Sequence, residues 1–223
     1  MIGGRRVIGV VPARAGSQRL PGKNVRPLAG KPMIRWTLDA ALASTVLDRV
    51  VVTSDDEAVL AIARDVGVEA IRRPDALAGP EASVIDAIQH ALGVVGGDWD
   101  YVVLLQPTSP LRTAADIDEA VALCDERAAR AVISVSPLAK PASFHARVDP
   151  SGRLGEAPDL DSTVVINGAV YVGRPQSLFL DGTFRHGEAL AVVTPSGRGW
   201  DVDTWADFFA CEAYLGLANR GNL

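Results

Sequence analysis

Arg14, Arg19 and Lys23 fall within ten positions of one another, in the stretch Arg14-Ala15-Gly16-Ser17-Gln18-Arg19-Leu20-Pro21-Gly22-Lys23-Asn24, directly after an apolar run at residues 7–11. Guanidinium and ammonium donors on a glycine-containing loop suit one kind of ligand above others, the oxygens of a polyphosphate. The stretch is close to a Walker A loop but is not one. Five residues rather than four separate Gly16 from Gly22, Asn24 replaces the metal-binding hydroxyl, and Pro21 removes a backbone donor.

A second chemical signal lies far away in Trp200-Asp201-Val202-Asp203-Thr204. In extended chain, residues two apart face the same way, so Asp201 and Asp203 can present two carboxylates to one hard cation such as Mg²⁺. The same acidic pair could equally cap a helix starting near Thr204. Gln106-Pro107-Thr108-Ser109-Pro110-Leu111-Arg112 and Asn167-Gly168 are two further stretches where polar side chains follow or interrupt apolar runs. The three histidines and two cysteines form no metal spacing and no nucleophile-base pair.

The elements that must position these residues alternate along the chain. Apolar β-rich runs at 7–11, 49–53, 68–71, 101–105, 131–135, 164–172 and 190–194 are strands, the one at 164–172 being interrupted by Asn167-Gly168. Helix-patterned segments occupy 31–44, a stretch opened by Asp55-Asp56-Glu57 and ended by Gly67, 83–95, 113–127 with Thr113 and Asp116 as its cap, and 204–217. Strands alternating with helices imply right-handed parallel βαβ units. The expected fold is therefore α/β, a doubly wound and mostly parallel Rossmann-like sheet with its ligand site at the carboxyl ends of the strands. A change of texture to proline, glycine and isolated charges marks an insertion at about 136–162, with a short hairpin, inside a single domain spanning 1–223.

The chain has 223 residues, 48% hydrophobic and 22% charged, with net charge −5, enough for one large core and contrary to a broad nucleic-acid surface. No stretch has the length of a membrane span or a signal-peptide core, so a cytoplasmic protein is expected, with reduced, buried cysteines.

At the chemistry-bearing residues a resemblance becomes specific. Val11-Pro12-Ala13-Arg14-Ala15-Gly16-Ser17, Leu20-Pro21-Gly22-Lys23-Asn24, Leu104-Leu105-Gln106-Pro107-Thr108-Ser109-Pro110-Leu111-Arg112, Asn167-Gly168-Ala169-Val170-Tyr171 and Asp201-Val202-Asp203-Thr204 resemble, in order, the motifs of the acylneuraminate (CMP-sialic acid) cytidylyltransferases. The likeness spans nearly the whole chain. It implies transfer of CMP from CTP to an acidic acceptor, with loss of pyrophosphate. Arg14 and Lys23 would hold the phosphates and act in catalysis with Asp203. Ala13, Gly16 and Ser17 would complete that loop, Asn24, Arg73, Ala82 and Ser83 would surround the cytidine, and Asp201 and Asp203 would bind Mg²⁺. Gln106 and Asn167 would meet the acceptor, and the insertion would pack against a second subunit in a homodimer.

The resemblance also has gaps. Sialate-using members carry an Arg where Val165 stands, and the Lys of their insertion is missing at Ser143. An acceptor other than ordinary N-acetylneuraminate is therefore expected, a related sugar acid or a small phosphonate, with Lys140 and Arg147 first among the replacement anion ligands. The competing readings are a sugar-1-phosphate nucleotidyltransferase using another base and a non-enzymatic nucleotide-binding regulator.

Overall fold

A computed structural model describes residues 2–79, 81–155 and 162–218. Seven strands build the main sheet: β1 Val7–Pro12, β2 Arg49–Ser54, β3 Glu69–Arg72, β4 Tyr101–Leu104, β5 Ala131–Pro137, β6 Val164–Gly173 and β7 Leu190–Val193. Their spatial order is β7-β5-β6-β4-β1-β2-β3. Six helices accompany them: α1 Met33–Ala43, α2 Glu57–Asp65, α3 Val84–Val95, α4 Ala114–Glu126, α5 Pro175–Asp181 and α6 Trp205–Ala218.

Side-chain alternation on β1 shows why the sheet is covered on both faces. Val7 and Val11 join Ile34, Leu38, Val59 and Ile117 in a core under α1, α2 and α4. Ile8 and Val10 point the other way and join Ile85, Ile88 and Leu178 under α3 and α5. Three of the helices, α2, α3 and α4, start where the sequence offers a side-chain cap. Asp56 accepts from the Ala58 amide, Ser83 from the Ile85 amide, and Thr113 with Asp116 forms a complete capping box. None of the described helices is long and apolar enough to cross a membrane.

Two features depart from the sequence expectation. β6 runs antiparallel to both β4 and β5, while the other six strands are parallel. Among the described residues no α-helix joins β5 to β6, but a 3-10 turn at Ala142–Phe144 and the small hairpin Arg147–Val148 with Leu154–Gly155, and the chain turns back beside its neighbour instead of crossing over. The other departure is α5, seven residues long, which the residue pattern did not announce; Pro175 opens it and Gly182, with φ 64°, ends it. The stretch expected to be an insertion, about 136–162, overlaps the connection between β5 and β6, of which residues 156–161 lie outside the described ones.

The antiparallel strand carries the irregularity the sequence marked. Its register shifts between Ile166 and Tyr171, and Gly168 takes φ 73° within that shift. The bulge thus brings Asn167-Gly168 to the carboxyl edge of the parallel strands, although β6 itself runs the opposite way.

Candidate active site

The basic loop leaves β1 and is pinned to β2. The Ala13 amide donates to the Thr53 carbonyl at 3.0 Å, Ser54 Oγ donates to the Ala13 carbonyl, and the Ala15 amide donates to Asp55 Oδ1 at 3.0 Å. Leu20, fully buried, anchors the far side. Asn24 Nδ2 closes the loop by donating to the Arg14 carbonyl at 3.1 Å. Only a three-residue 3-10 turn, Lys23–Val25, begins where a Walker loop would start a long helix, so that reading fails in the structure too. Arg14 Nη1 donates to the Gly79 carbonyl at 3.1 Å, which ties the loop to the segment that leads through Ala82 to Ser83.

Val202 is fully buried, against Leu20, Leu111 and Phe208, while Asp201 and Asp203 on either side line the cleft. The expected alternation is therefore present. The cap of α6 falls to other residues: Asp207 accepts from the Thr204 amide and hydroxyl, both at 2.8 Å, and the Asp207 amide donates back to Thr204 Oγ1 at 3.3 Å. Asp203 is instead paired with cations, to Arg19 at 2.6 Å and to Lys23 at 3.1 Å, and Lys23 Nζ also donates to the Val202 carbonyl at 2.9 Å. Burial pushes the Asp201 carboxyl above its ordinary pKa, with the Asp203 charge adding and a hydrogen bond from Thr108 opposing.

Behind this surface lies a buried charged support. Arg112 is 4% exposed and donates through Nη1 and Nη2 to the Gln106 carbonyl at 3.2 and 2.9 Å and through Nη2 to Thr37 Oγ1 at 3.0 Å. Burial presses its guanidinium down to about 9, against the pull of Asp116, so it stays a cation at neutral pH. Asp116 in turn pairs with Arg198 at 3.0 Å. The chain Gln106–Arg112–Asp116–Arg198 thus links the β4 loop to the segment that carries both aspartates, and the Val202 amide donates to the Thr108 carbonyl at 2.7 Å across the same joint.

Arg14, Gly16, Ser17, Lys23, Asn24, Arg73, Ala82, Ser83, Gln106, Asp201 and Asp203 line one open cleft of about 620 Å³. Arg73 enters it nearly buried, donating to the Thr53 carbonyl at 2.6 Å, and burial lowers its pKa while Asp55 resists. Ala13 lies behind the lining, 1% exposed. Asn167 is also behind it. Its Oδ1 accepts from Ser134 Oγ at 2.6 Å and the Ala169 amide at 3.1 Å, and its Nδ2 donates to Ser136 at 2.8 Å and Thr194 at 2.7 Å. With its amide so engaged, Asn167 holds the bulge that sets Gly168 against Gln106. Lys140 and Arg147 lie on the exposed segment between β5 and β6, outside the cleft lining.

Arg19, one of the three loop cations, lines the cleft as expected of a phosphate-facing group, and Thr108 lines it too. Thr108 and the brace of Arg112, Asp116 and Arg198 were not singled out as site residues from the sequence. The brace had no sequence signal, because its ion pair, between Asp116 and Arg198 far apart in the chain, exists only after folding. Among the described residues no three His, Cys, Asp or Glu side chains form a complete metal cluster. Two cleft-lining carboxylates fit a magnesium ion that takes its remaining ligands from phosphate oxygens and water.

Known proteins provide the comparison for this geometry. Residues 8–150 match the family model described as Cytidylyltransferase. An N-acylneuraminate cytidylyltransferase of Escherichia coli O18:K1:H7 is 34% identical over 213 residues, 91% of this chain and 50% of that protein. A CMP-N,N'-diacetyllegionaminic acid synthase of Legionella pneumophila is 32% identical, with 95% of this chain and 97% of that protein aligned. The chain thus spans about half the length of some curated relatives and nearly the whole length of another. The solved structure of CMP:2-keto-3-deoxy-manno-octonic acid synthetase complexed with CTP superposes with TM-score 0.73 at 20% identity, covering 96% of this chain and 99% of that one, which shows the fold.

Proposed function

The chain belongs to the cytidylyltransferase family, and on that premise we propose that it transfers CMP from CTP to a nonulosonate-like sugar acid, releasing pyrophosphate. One observation carries the reading: a basic loop, a buried arginine and a pair of carboxylates, 180 positions apart in the chain for Lys23 and Asp203, line a single cleft at the sheet's carboxyl edge. That is the charge pattern a nucleoside triphosphate and its cation need.

Arg14 and Lys23 hold the phosphates and Arg73, Asn24, Ala82 and Ser83 flank the nucleoside. The acceptor oxygen attacks the α-phosphorus in line as the α–β bridging bond breaks, and its electron pair leaves on pyrophosphate. Arg14 and Lys23 oppose the charge that grows on the departing oxygens. Asp201 and Asp203 would hold a magnesium ion, which would add Lewis-acid neutralisation of the phosphate charge when bound. Gln106 faces the acceptor from the cleft wall, with Asn167 supporting it from behind and Lys140 and Arg147 supplying charge for the acid group.

The acids named for the two relatives support a sugar acid over a phosphonate. Pyrophosphate release from CTP, measured against nonulosonates, a deoxyoctulosonate and simple phosphonates, tests the choice: selective turnover of a sugar acid is expected, and selective turnover of a phosphonate would reverse it. Two free, buried cysteines, Cys124 and Cys211, support a reducing compartment, the cytoplasm. Exposed Phe144, Val148 and Leu154 on the inserted segment support a homodimer.

A further inference from the structure

Asp203 is committed twice within the cleft. Arg19 Nη2 lies 2.6 Å from one carboxylate oxygen and Lys23 Nζ lies 3.1 Å from the other. Lys23 is largely buried and has a second anchor in the Val202 carbonyl, whereas Arg19 is 66% exposed and touches Asp203 from the solvent side. Asp203 thus already has its counter-charges before any cation arrives. Asp201, two residues away, has the Thr108 hydrogen bond and the more distant Lys23 charge to offset its desolvation.

We propose that Arg19 is an exchangeable counter-charge that couples the two ligands of this cleft: it neutralises Asp203 while the cleft is empty, and transfers to the incoming phosphates as Asp203 passes to the divalent cation. The inference rests on the cytidylyltransferase reading and deepens it. Its logic is competition for charge. A divalent cation entering alone must displace Arg19 from Asp203 and remain beside Lys23 and Arg19, both positive. A triphosphate entering alone meets an arginine partly neutralised by Asp203. When both enter, each releases the group the other needs, so each raises the affinity of the other. Exposure keeps Arg19 exchangeable, because an ion pair in contact with water is held weakly.

The coupling has a signature that neither a plain phosphate ligand nor a plain structural ion pair would produce. Arg19→Gln should bind Mn²⁺ alone more tightly, by about 3- to 10-fold, the range of an exposed ion pair converted to affinity. The same substitution should bind CTP in the presence of EDTA more weakly, by a similar factor. Arg19→Lys, which keeps the charge, should move both constants back toward the parent. Free Mn²⁺ measured by electron paramagnetic resonance and metal-free CTP measured by calorimetry give the two constants without any turnover, and Asp203→Asn identifies the manganese site by loss of binding. If Arg19→Gln weakens CTP and leaves Mn²⁺ unchanged, Arg19 is a phosphate ligand only and the coupling is overturned. If Mn²⁺ tightens and CTP is unaffected, Arg19 never reaches the phosphates and the coupling is again overturned. If neither ligand binds the parent protein, the nucleotide reading itself falls along with it.

Discussion

Asp201 and Asp203 sit two positions apart and meet different surroundings. Asp203 is paired with two cations, while desolvation within the cleft pushes the Asp201 carboxyl above its ordinary pKa, although part of that residue faces solvent. An acid whose folded pKa is raised favours its neutral form, so this group costs stability once the pH rises through the folded value, and the cost disappears as the pH falls back toward the ordinary range. Asp201→Asn removes that cost. It should melt at or above the temperature of the parent at pH 7, with the advantage shrinking toward acid pH, while turnover is lost; a variant that melts lower at pH 7 would show that the carboxylate stabilises the cleft. Asp203→Asn should lower turnover by at least about 100-fold, the loss of one metal ligand's worth of transition-state charge stabilisation, with circular dichroism unchanged. Unaltered turnover would remove the metal assignment.

Among the elements, the segment between β7 and α6 and the bulge of β6 decide where the chemistry sits. A Cβ at Gly199 would lie 2.3 Å from Ser136 Oγ, and a Cβ at Gly168 would lie 3.2 Å from Gln106 Oε1 on a backbone already at positive φ. Gly168→Ala should therefore cost about 1–2 kcal/mol, the left-handed penalty, and displace Gln106, so that KM for the acceptor rises more than KM for CTP. Equal effects on both constants would deny Gln106 its place beside the acceptor. Arg198→Met should cost about 1–3 kcal/mol by leaving buried Asp116 short of a partner, and should raise the magnesium concentration needed for half-maximal rate, since Arg198 braces the segment carrying both aspartates. The seven strands, the Thr113–Asp116 capping box and the Asn167-Gly168 interruption were legible because periodicity and caps are local. The direction of β6, the helix α5 and the Arg112–Asp116–Arg198 brace were not, since strand direction depends on which neighbours the chain meets and a seven-residue helix offers too little periodicity to read. The aspartates' alternation was legible but their partners were not: the capping of α6, one of the two roles the sequence left open for Asp201 and Asp203, belongs to Thr204 and Asp207.

For the molecule as a whole, the doubly wound sheet explains why residues from five separate stretches share one cleft: parallel strands end at the same edge, and the bulge brings the antiparallel one there as well. The inserted segment between β5 and β6 exposes Phe144 and Leu154 at 76% and 77%, too much apolar surface for a solvated hairpin. Sedimentation should give a dimer that Leu154→Asp converts to a monomer; a parent protein that sediments as a monomer would refute it. Cytidylyl transfer is read most directly at the α-phosphorus of CTP. With α-³²P-labelled CTP, magnesium and a nonulosonate, the label should move into a CMP–sugar acid in step with pyrophosphate release, and equally labelled UTP or GTP should transfer little. Label that stays in CTP or appears only as free CMP across the acid panel, or that transfers equally from UTP, would contradict the account.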